Sequence, residues 1–461
     1  MKKYAVNPYL PSWEYIPDGE PYVFGDRVYV YGSHDFFNGY VFCLGDYVCW
    51  SAPVDDLGNW RYEGVIYPKT SDPMNKEGKM CLYAPDVVMG SDGRYYLYYV
   101  LDKVPVVSVA VCDTPAGRYE FYGYVKDLSG GRLGERPGDQ PQFDPGVLRE
   151  DNKVYLYCGF CGPQDDTRYG AVVTVLADDM VTILEETVVI APSKPYSAGT
   201  GFEGHEFFEA PSIRKKGSTY YFIYSSVAMH ELCYAVSDSP VGGFTYGGVI
   251  VSNCDEGIDT YKPARMHTAF AANNHGSLVE ILGKWYIFYH RHTNGTWYSR
   301  QGCAEPVTIL DDGKIPQVEI TTSGMGGILP GKGTYGAYLA CNLFQTEQKS
   351  EAPIPKIMQD GRDGDEEPGY IANITDGVTA GFKYFECGDC KRITITTRGY
   401  AAGYFEVKHA WDGKILATIQ IKYTNVWEDY SADLELEEGK QAIYLTYRGN
   451  GNASLLSFSL E

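Results

Sequence analysis

The stretch FDPGVLREDNKVYLYCGF (residues 143–160) sets an acid, Asp144, between an aromatic and a proline, ahead of a short apolar run, a polar turn and a tyrosine-rich segment. A polar turn followed by a run of aromatic and aliphatic residues is a strand signal. The pattern recurs in GDRVYVYG, DGRYYLYYV, GSTYYFIYSS and LGKWYIFYH. Aligned on Tyr29, Tyr96, Tyr155, Tyr221 and Tyr286, the five copies are spaced by 67, 59, 66 and 65 residues. Regular spacing of this size predicts five repeated units of several antiparallel strands each, the arrangement of a five-bladed β-propeller.

Counting back from each aligned tyrosine meets an ionisable residue at one equivalent place. Asp18 lies 11 residues before Tyr29, Asp86 10 before Tyr96, Asp144 11 before Tyr155, Glu209 12 before Tyr221 and His275 11 before Tyr286. If that place begins the innermost strand of each blade, radial symmetry brings the five side chains to one end of a central axis. A single Asp before a strand is ordinarily a turn or capping acid. Five at matching positions point to a site, because carboxylates gathered in a small volume repel one another and shift each other's pKa.

Composition agrees with a β-rich protein built for a neutral ligand. The 461 residues include 41 Tyr and 52 Gly, with 44% apolar and 15% aromatic content, enough for more than one core. A formal charge of −21 repels phosphate backbones and anionic lipid, which argues against nucleic acid and membrane partners. The start, MKKYAVNPYLPSWEYIPDGEP, has no apolar run of signal length, and a cytoplasmic location is expected. Twelve cysteines then read as reduced, buried, small hydrophobes. The pairs Cys158/Cys161 and Cys387/Cys390 fall in different expected domains and lack histidines at finger spacing, which argues against a shared metal.

Beyond the last repeat, TTSGMGGILPGKGTYGAY (321–338) breaks the pattern with Gly and Thr. The alternating segments KRITITTR, GYFEVKH, ATIQIKY, ADLELEE and AIYLTYRG follow, and they predict a β-sandwich of jelly-roll type. The expected organisation is all-β: a propeller over 1–320, a linker over 321–335 and a sandwich over 336–461.

Two carboxyl groups facing each other across a pocket are the minimum apparatus for cleaving a glycosidic bond. Trp13, Tyr15, His34, Trp297 and Tyr298 lie near the motif ends, where aromatic faces could pack on sugar rings. The series NPYLPSWEYIPDGEP, YAPDVV, FDPGVL, FFEAPSIRKKGSTYYFIYSS and NNHGSLVEILGKWYIFYHRH resembles glycoside hydrolase family 43 in order and spacing. The resemblance implies an inverting reaction with Asp18 as general base, Glu209 as general acid and Asp144 as the residue that tunes and orients the acid. It implies Arg300 as a substrate-facing arginine, and His275 beside a calcium ion held largely through water. Asp86 fits a further motif acid. Trp13, His34, Asp35, Asp86, Trp297 and Arg300 are the expected substrate contacts, with Glu206 a rival to Glu209 and Glu203 and Asp35 further competing acids. Gly19 stands where the family often has a second proline. YLTYRGNGNASLLSFSLE at the C-terminus resembles family 6 carbohydrate-binding modules.

The expected activity is exo-hydrolysis of xylo- and arabino-oligosaccharides, a β-xylosidase with α-L-arabinofuranosidase activity. An endo-arabinanase of the same family and a non-catalytic sugar-binding propeller are the alternatives. A retaining fructan hydrolase would carry WMNDPNG-like and RDP motifs in place of YIPDGEP and FDPG.

Overall fold

Adjacent residues of a strand point to opposite faces, so a strand that is apolar at every position must be covered on both sides. That rule organises this molecule. The structure, a computed structural model, describes residues 4–346 and 352–461. Five antiparallel sheets follow one another along the chain. The first is β1 (Glu20–Phe24), β2 (Arg27–Tyr31), β3 (Tyr47–Pro53) and β4 (Arg61–Tyr67). The second is β5 (Asp86–Met89), β6 (Tyr95–Val100), β7 (Val107–Cys112) and β8 (Glu120–Tyr124). The third is β9 (Gly146–Glu150), β10 (Lys153–Cys158), β11 (Gly170–Ala177) and β12 (Ile183–Pro192). The fourth is β13 (Phe207–Lys216), β14 (Thr219–Ser226), β15 (Glu231–Ser237) and β16 (Thr245–Ser252). The fifth is β17 (Leu278–Ile281), β18 (Lys284–Arg291) and β19 (Gln301–Val307). This is the five-bladed propeller that the repeats predict.

The five aligned tyrosines all lie on the second strand of a blade, opposite Tyr22, Val88, Leu148, Arg214 and Val279 of the first. Neighbouring residues of these second strands feed different cores. Leu156 packs toward blade two and Tyr157 toward blade four, while Ile223 packs toward blade five and Phe222 toward blade three. Each blade interface has its own cluster, so the aromatic–aliphatic runs carry no polar face. The N-terminal segment covers the outer edge of β19. Tyr9 N–H donates to Gly302 O at 3.1 Å, and the Asn7 amide spans Ala304 by donating to its carbonyl and accepting its N–H. Covering that edge protects the three-stranded blade from pairing with another chain.

The C-terminal residues form one ten-stranded sheet that folds over into a sandwich. Two strands of 17 and 22 residues, Arg392–Lys408 and Gly439–Leu460, pair along their length and serve both layers. KRITITTR and GYFEVKH are therefore one continuous strand. ADLELEE departs from the expectation: only Ala432 and Asp433 extend a strand, and the following residues run irregularly with Leu434 and Leu436 buried. Their alternation reflects packing under the core without a partner strand. Leu329–Pro330, inside the stretch read as a linker, and Gly333–Gly336, which runs one residue past its end, already pair within this sheet.

The two units share many hydrogen bonds. Both Arg291 Nη atoms donate to Ala340 O, and Asn342 Nδ2 reaches Thr268 Oγ1 at 2.9 Å. Asp363 accepts the Phe37 N–H at 2.6 Å. Among the described residues all cysteines are free and most are buried, and no helix is long and apolar enough to cross a membrane.

Candidate active site

The innermost strands β1, β5, β9, β13 and β17 carry the five ionisable positions at or near their first residues. Closure of the ring brings the first and last blades together where Gly19 and Gly276 form a parallel bridge. Asp18, Asp144, Glu209 and His275 then line one cavity of about 390 Å³, together with Arg300, Asn273 and Met229. Its wall is aromatic. Tyr83, Phe143, Phe160 and Phe208 follow one another at centroid distances of 5.2–5.4 Å.

Local backbone geometry aims the acids. Asp18 (φ 57°), Asp144 (φ 46°) and Ala210 (φ 63°), which follows Glu209, all occupy the left-handed region. Asp tolerates that region better than most residues, whereas for Ala it costs about 1–2 kcal/mol. Register shifts on both sides of Glu209 mark a bulge in β13, which explains why its count to the aligned tyrosine is 12 and turns the side chain inward.

Asp18 is held ionised. Burial alone would raise its pKa, but the Arg300 guanidinium, whose Nη1 donates to Oδ1 at 2.9 Å, and then His290 hold it well below the usual carboxylate range. His290 Nε2 lies 2.9 Å from the Asn273 carbonyl oxygen, and its Nδ1 lies 3.2 Å from Asp18 Oδ1 and 3.3 Å from the Asp18 backbone nitrogen. Glu209 is shifted the other way. Burial first, then the charge of Asp18, push it up to about 7, against Arg300 and a hydrogen bond from the Asn273 side chain. That amide is oriented by His292, whose Nε2 lies 2.9 Å from Asn273 Oδ1. Asp144 is raised by burial, then by Glu209 and Asp18, while the Ala210 N–H favours its charged form. His275 is kept neutral, its pKa lowered to about 4 by burial foremost. Its Nδ1 lies 3.7 Å from Asp144 Oδ2 and its Nε2 4.0 Å from Glu20 Oε1.

Four of the expected sugar contacts lie outside the cavity lining. Asp35 does not line the cavity: it is buried and forms a two-pronged ion pair with Arg300 at 2.8 and 3.1 Å, while its Oδ1 also accepts the Cys43 N–H. Its role is to hold the arginine that faces Asp18. Asp86 is fully buried, accepting from the Tyr22 hydroxyl and from the Val87 and Val147 amides, so it ties inner strands together below the cavity. Trp13 packs on Trp50 at 5.9 Å, and His34 bridges Glu14 and the Asp46 carbonyl; neither reaches the cavity. Trp297 and Arg300 do line it, with Trp297 partly exposed. Tyr298 packs on Phe42 behind the lining, and Tyr15 is buried. Glu206 accepts from Ser197 Oγ and Glu203 from Gly199 N–H, and both lie outside the cavity.

Sequence reading missed the aromatic wall and the His290–Asn273–His292 support. Phe143 and Phe208 directly precede Asp144 and Glu209, so the aromatic before each acid was the available signal for half of the wall.

A family model for glycosyl hydrolases family 43 matches residues 16–315. The chain belongs to that family. Over its whole length it is 65% identical to a xylosidase/arabinosidase of Thermoclostridium stercorarium, covering 99% of that protein. A xylosidase/arabinosidase of Bacteroides ovatus is 30% identical over 61% of this chain and 87% of its own. Among solved structures, a β-xylosidase/α-arabinofuranosidase from a compost metagenome, in complex with xylotriose and in a calcium-free form, superposes with a TM-score of 0.53 at 27% identity, covering 68% of this chain and 98% of that one. A Bacillus subtilis arabinoxylan arabinofuranohydrolase in complex with cellotetraose gives a TM-score of 0.54 at 20% identity over 98% of this chain and 97% of its own; this likeness is one of fold. As a family member the chain is a glycoside hydrolase.

Proposed function

We propose that this glycoside hydrolase is an exo-acting, inverting β-xylosidase with α-L-arabinofuranosidase activity on xylo- and arabino-oligosaccharides. One observation carries the reading: Asp18 and Glu209 face the same cavity with their pKa values displaced in opposite directions. In the proposed reaction Asp18, ionised beside Arg300, takes a proton from the attacking water. Glu209, protonated up to about pH 7, gives its proton to the departing sugar oxygen. Asp144 and Glu209 are a repelling pair, so ionisation of either raises the proton affinity of the other, with the Ala210 amide favouring the charged form of Asp144. The 65% identical relative, named a xylosidase/arabinosidase, supports pentosides as the substrate class. A cavity of about 390 Å³ sits at the small end of ligand sites, which suits a terminal sugar.

A hard cation fits beside His275. Glu20 Oε1 is buried, has no hydrogen-bond partner among the described residues and lies 4.0 Å from the neutral imidazole. His275 Nε2 and Glu20 Oε1, through water, are the groups that would hold calcium, whose charge would offset the gathered carboxylates. For the C-terminal sandwich we propose kinship with family 6 carbohydrate-binding modules and a buttressing role, supported by its hydrogen bonds to the propeller.

A panel of 4-nitrophenyl glycosides with xylobiose and arabinobiose tests the substrate class, and NMR of the first product tests the stereochemistry. Release from pentosides with an inverted first anomer is expected. No turnover of any pentoside, or a first product that keeps the substrate's configuration, overturns the corresponding part.

A further inference from the structure

The connection between β16 and β17 runs from 253 to 277 without a strand, and it delivers both Asn273 and His275 to the cavity. Loops of this length in a packed domain need an anchor. Three residues on it, Cys254, Glu256 and His267, converge with His230 from the β14–β15 turn. One ligand-type atom from each of the four lies within 4.8 Å of every other.

We propose that His230, Cys254, Glu256 and His267 form a binding site for a borderline-soft divalent cation of the zinc class, which staples this loop to the turn that carries Met229. The geometry is that of a compact four-coordinate set. Glu256 Oε2 lies 3.1 Å from His230 Nε2 and 2.7 Å from His267 Nε2, so two imidazoles and a carboxylate already point at one centre. The other ring nitrogen of His230 rests on Ser252 Oγ at 3.0 Å, and that hydroxyl lies 3.3 Å from Cys254 Sγ. Such outer partners fix which imidazole nitrogen faces a metal.

Charge and ligand chemistry select the ion. A thiolate, a carboxylate and two neutral imidazoles carry two negative charges, which one divalent cation neutralises. Thiolate and imidazole together favour zinc over calcium or magnesium, which take oxygen ligands. Cys254 is buried, whereas the Glu256 and His267 side chains are partly exposed, which leaves an entry path from solvent.

The site reaches the catalytic cavity by short links. The His230 carbonyl accepts the Asn253 N–H at 2.9 Å and Asn274 Nδ2 at 3.2 Å, Asn253 Nδ2 donates to the carbonyls of Ala272 and Asn273, and Met229 lines the cavity. A metal there would hold two cavity-lining segments in register without touching substrate.

Cobalt is the probe. EDTA-treated full-length protein titrated with Co²⁺ should develop a thiolate-to-cobalt charge-transfer band and the strong visible absorption of a tetrahedral ion. Zn²⁺ should remove both, and excess Ca²⁺ should not. Cys254→Ser should lose the charge-transfer band, and His267→Gln, altered at a partly exposed position, should weaken binding by about tenfold or more with an unchanged far-ultraviolet CD spectrum. Hydrogen exchange across 253–277 should slow on adding Zn²⁺ to the wild type and not to His267→Gln. Absence of a charge-transfer band in folded wild type, a band that survives in Cys254→Ser, or displacement by calcium overturns the site.

Discussion

Glu209 and Asp18 are chemically similar groups made different by their neighbours. Arg300 is aimed at Asp18 because Asp35 grips its other edge, and among the described residues no cation forms an ion pair with Glu209. The two should therefore fail differently. Glu209→Ala should lose about a hundredfold or more on xylobiose, whose leaving group needs a proton, and far less on a nitrophenyl xyloside. Asp18→Ala should be crippled on both, since every substrate needs an activated water; steady-state kinetics on the pair of substrates separates the cases. The pH profile carries a sign as well. The acid works while protonated, so activity on xylobiose should fall as pH rises through about 7, the value to which burial and Asp18 raise Glu209. Because Glu209 and Asp144 repel each other, Asp144→Asn should move that limb to lower pH, and a limb that stays in place would remove Asp144 from the tuning role. The three acids were legible in the sequence because each sits at a repeat-defined place. Asp35 and Asp86, expected as sugar contacts, lie outside the cavity lining, and the sequence could not tell for a physical reason: an acid near an axis motif looks the same in sequence whether its lone pairs face a ligand or are consumed by an arginine and by backbone amides.

Glycine permits close backbone approaches around the inner strands, within blade five at Gly276 and between blades three and four at Gly146. A Cβ on Gly276 would fall 1.8 Å from the Phe288 carbonyl oxygen, and one on Gly146 2.3 Å from that of Pro211. Backbone carbonyls cannot swing aside as a side chain does, so the strand itself must shift. Gly276→Ala should destabilise the protein by about 1–3 kcal/mol or more, read from urea unfolding. It should also lower kcat, because Gly276 bridges Gly19 and stands between His275 and β17. Gly146→Ala should show a similar loss through the β9–β13 approach. The second strands were the most legible elements of the chain. With both faces buried they cannot carry a polar alternation, and their tyrosine-rich runs stand out against the turns that precede them. The 17- and 22-residue strands of the sandwich were read as separate short segments, since a bend within a continuous strand leaves no turn signal. Apart from the NNHGS end that carries His275, the 253–277 connection was passed over: its other ligand-type residues are scattered, and His230 joins them only through the fold.

Propeller and sandwich are joined by more than surface contact. Lys383 of the sandwich is fully buried, with Nζ 3.2 Å from Asp255 and 3.3 Å from Glu319 and lying 3.6 Å from the centre of the Tyr261 ring. Asp255 neighbours Cys254 on the loop that supplies Asn273 and His275, and its Oδ1 also accepts the Ile320 N–H at 2.7 Å. Removing the lysine leaves a carboxylate buried without its counter-charge, which costs about 3–5 kcal/mol. Lys383→Ala should therefore lower Tm strongly and reduce kcat along with it, although Lys383 does not line the active-site cavity. The same coupling forbids independent melting. The Nη atoms of Arg291 in β18 donate to the Ala340 and Cys341 carbonyls beyond the propeller, and Ile357 N–H donates to the Thr293 carbonyl. A chain cut at residue 320 would bury Arg291 without acceptors or expose the apolar surface beneath the sandwich, and it should aggregate. Calorimetry of the whole protein should give a single transition with matching calorimetric and van't Hoff enthalpies, whereas two separated transitions would show that the sandwich is an appended module and that the buried lysine does not bind the halves into one cooperative unit.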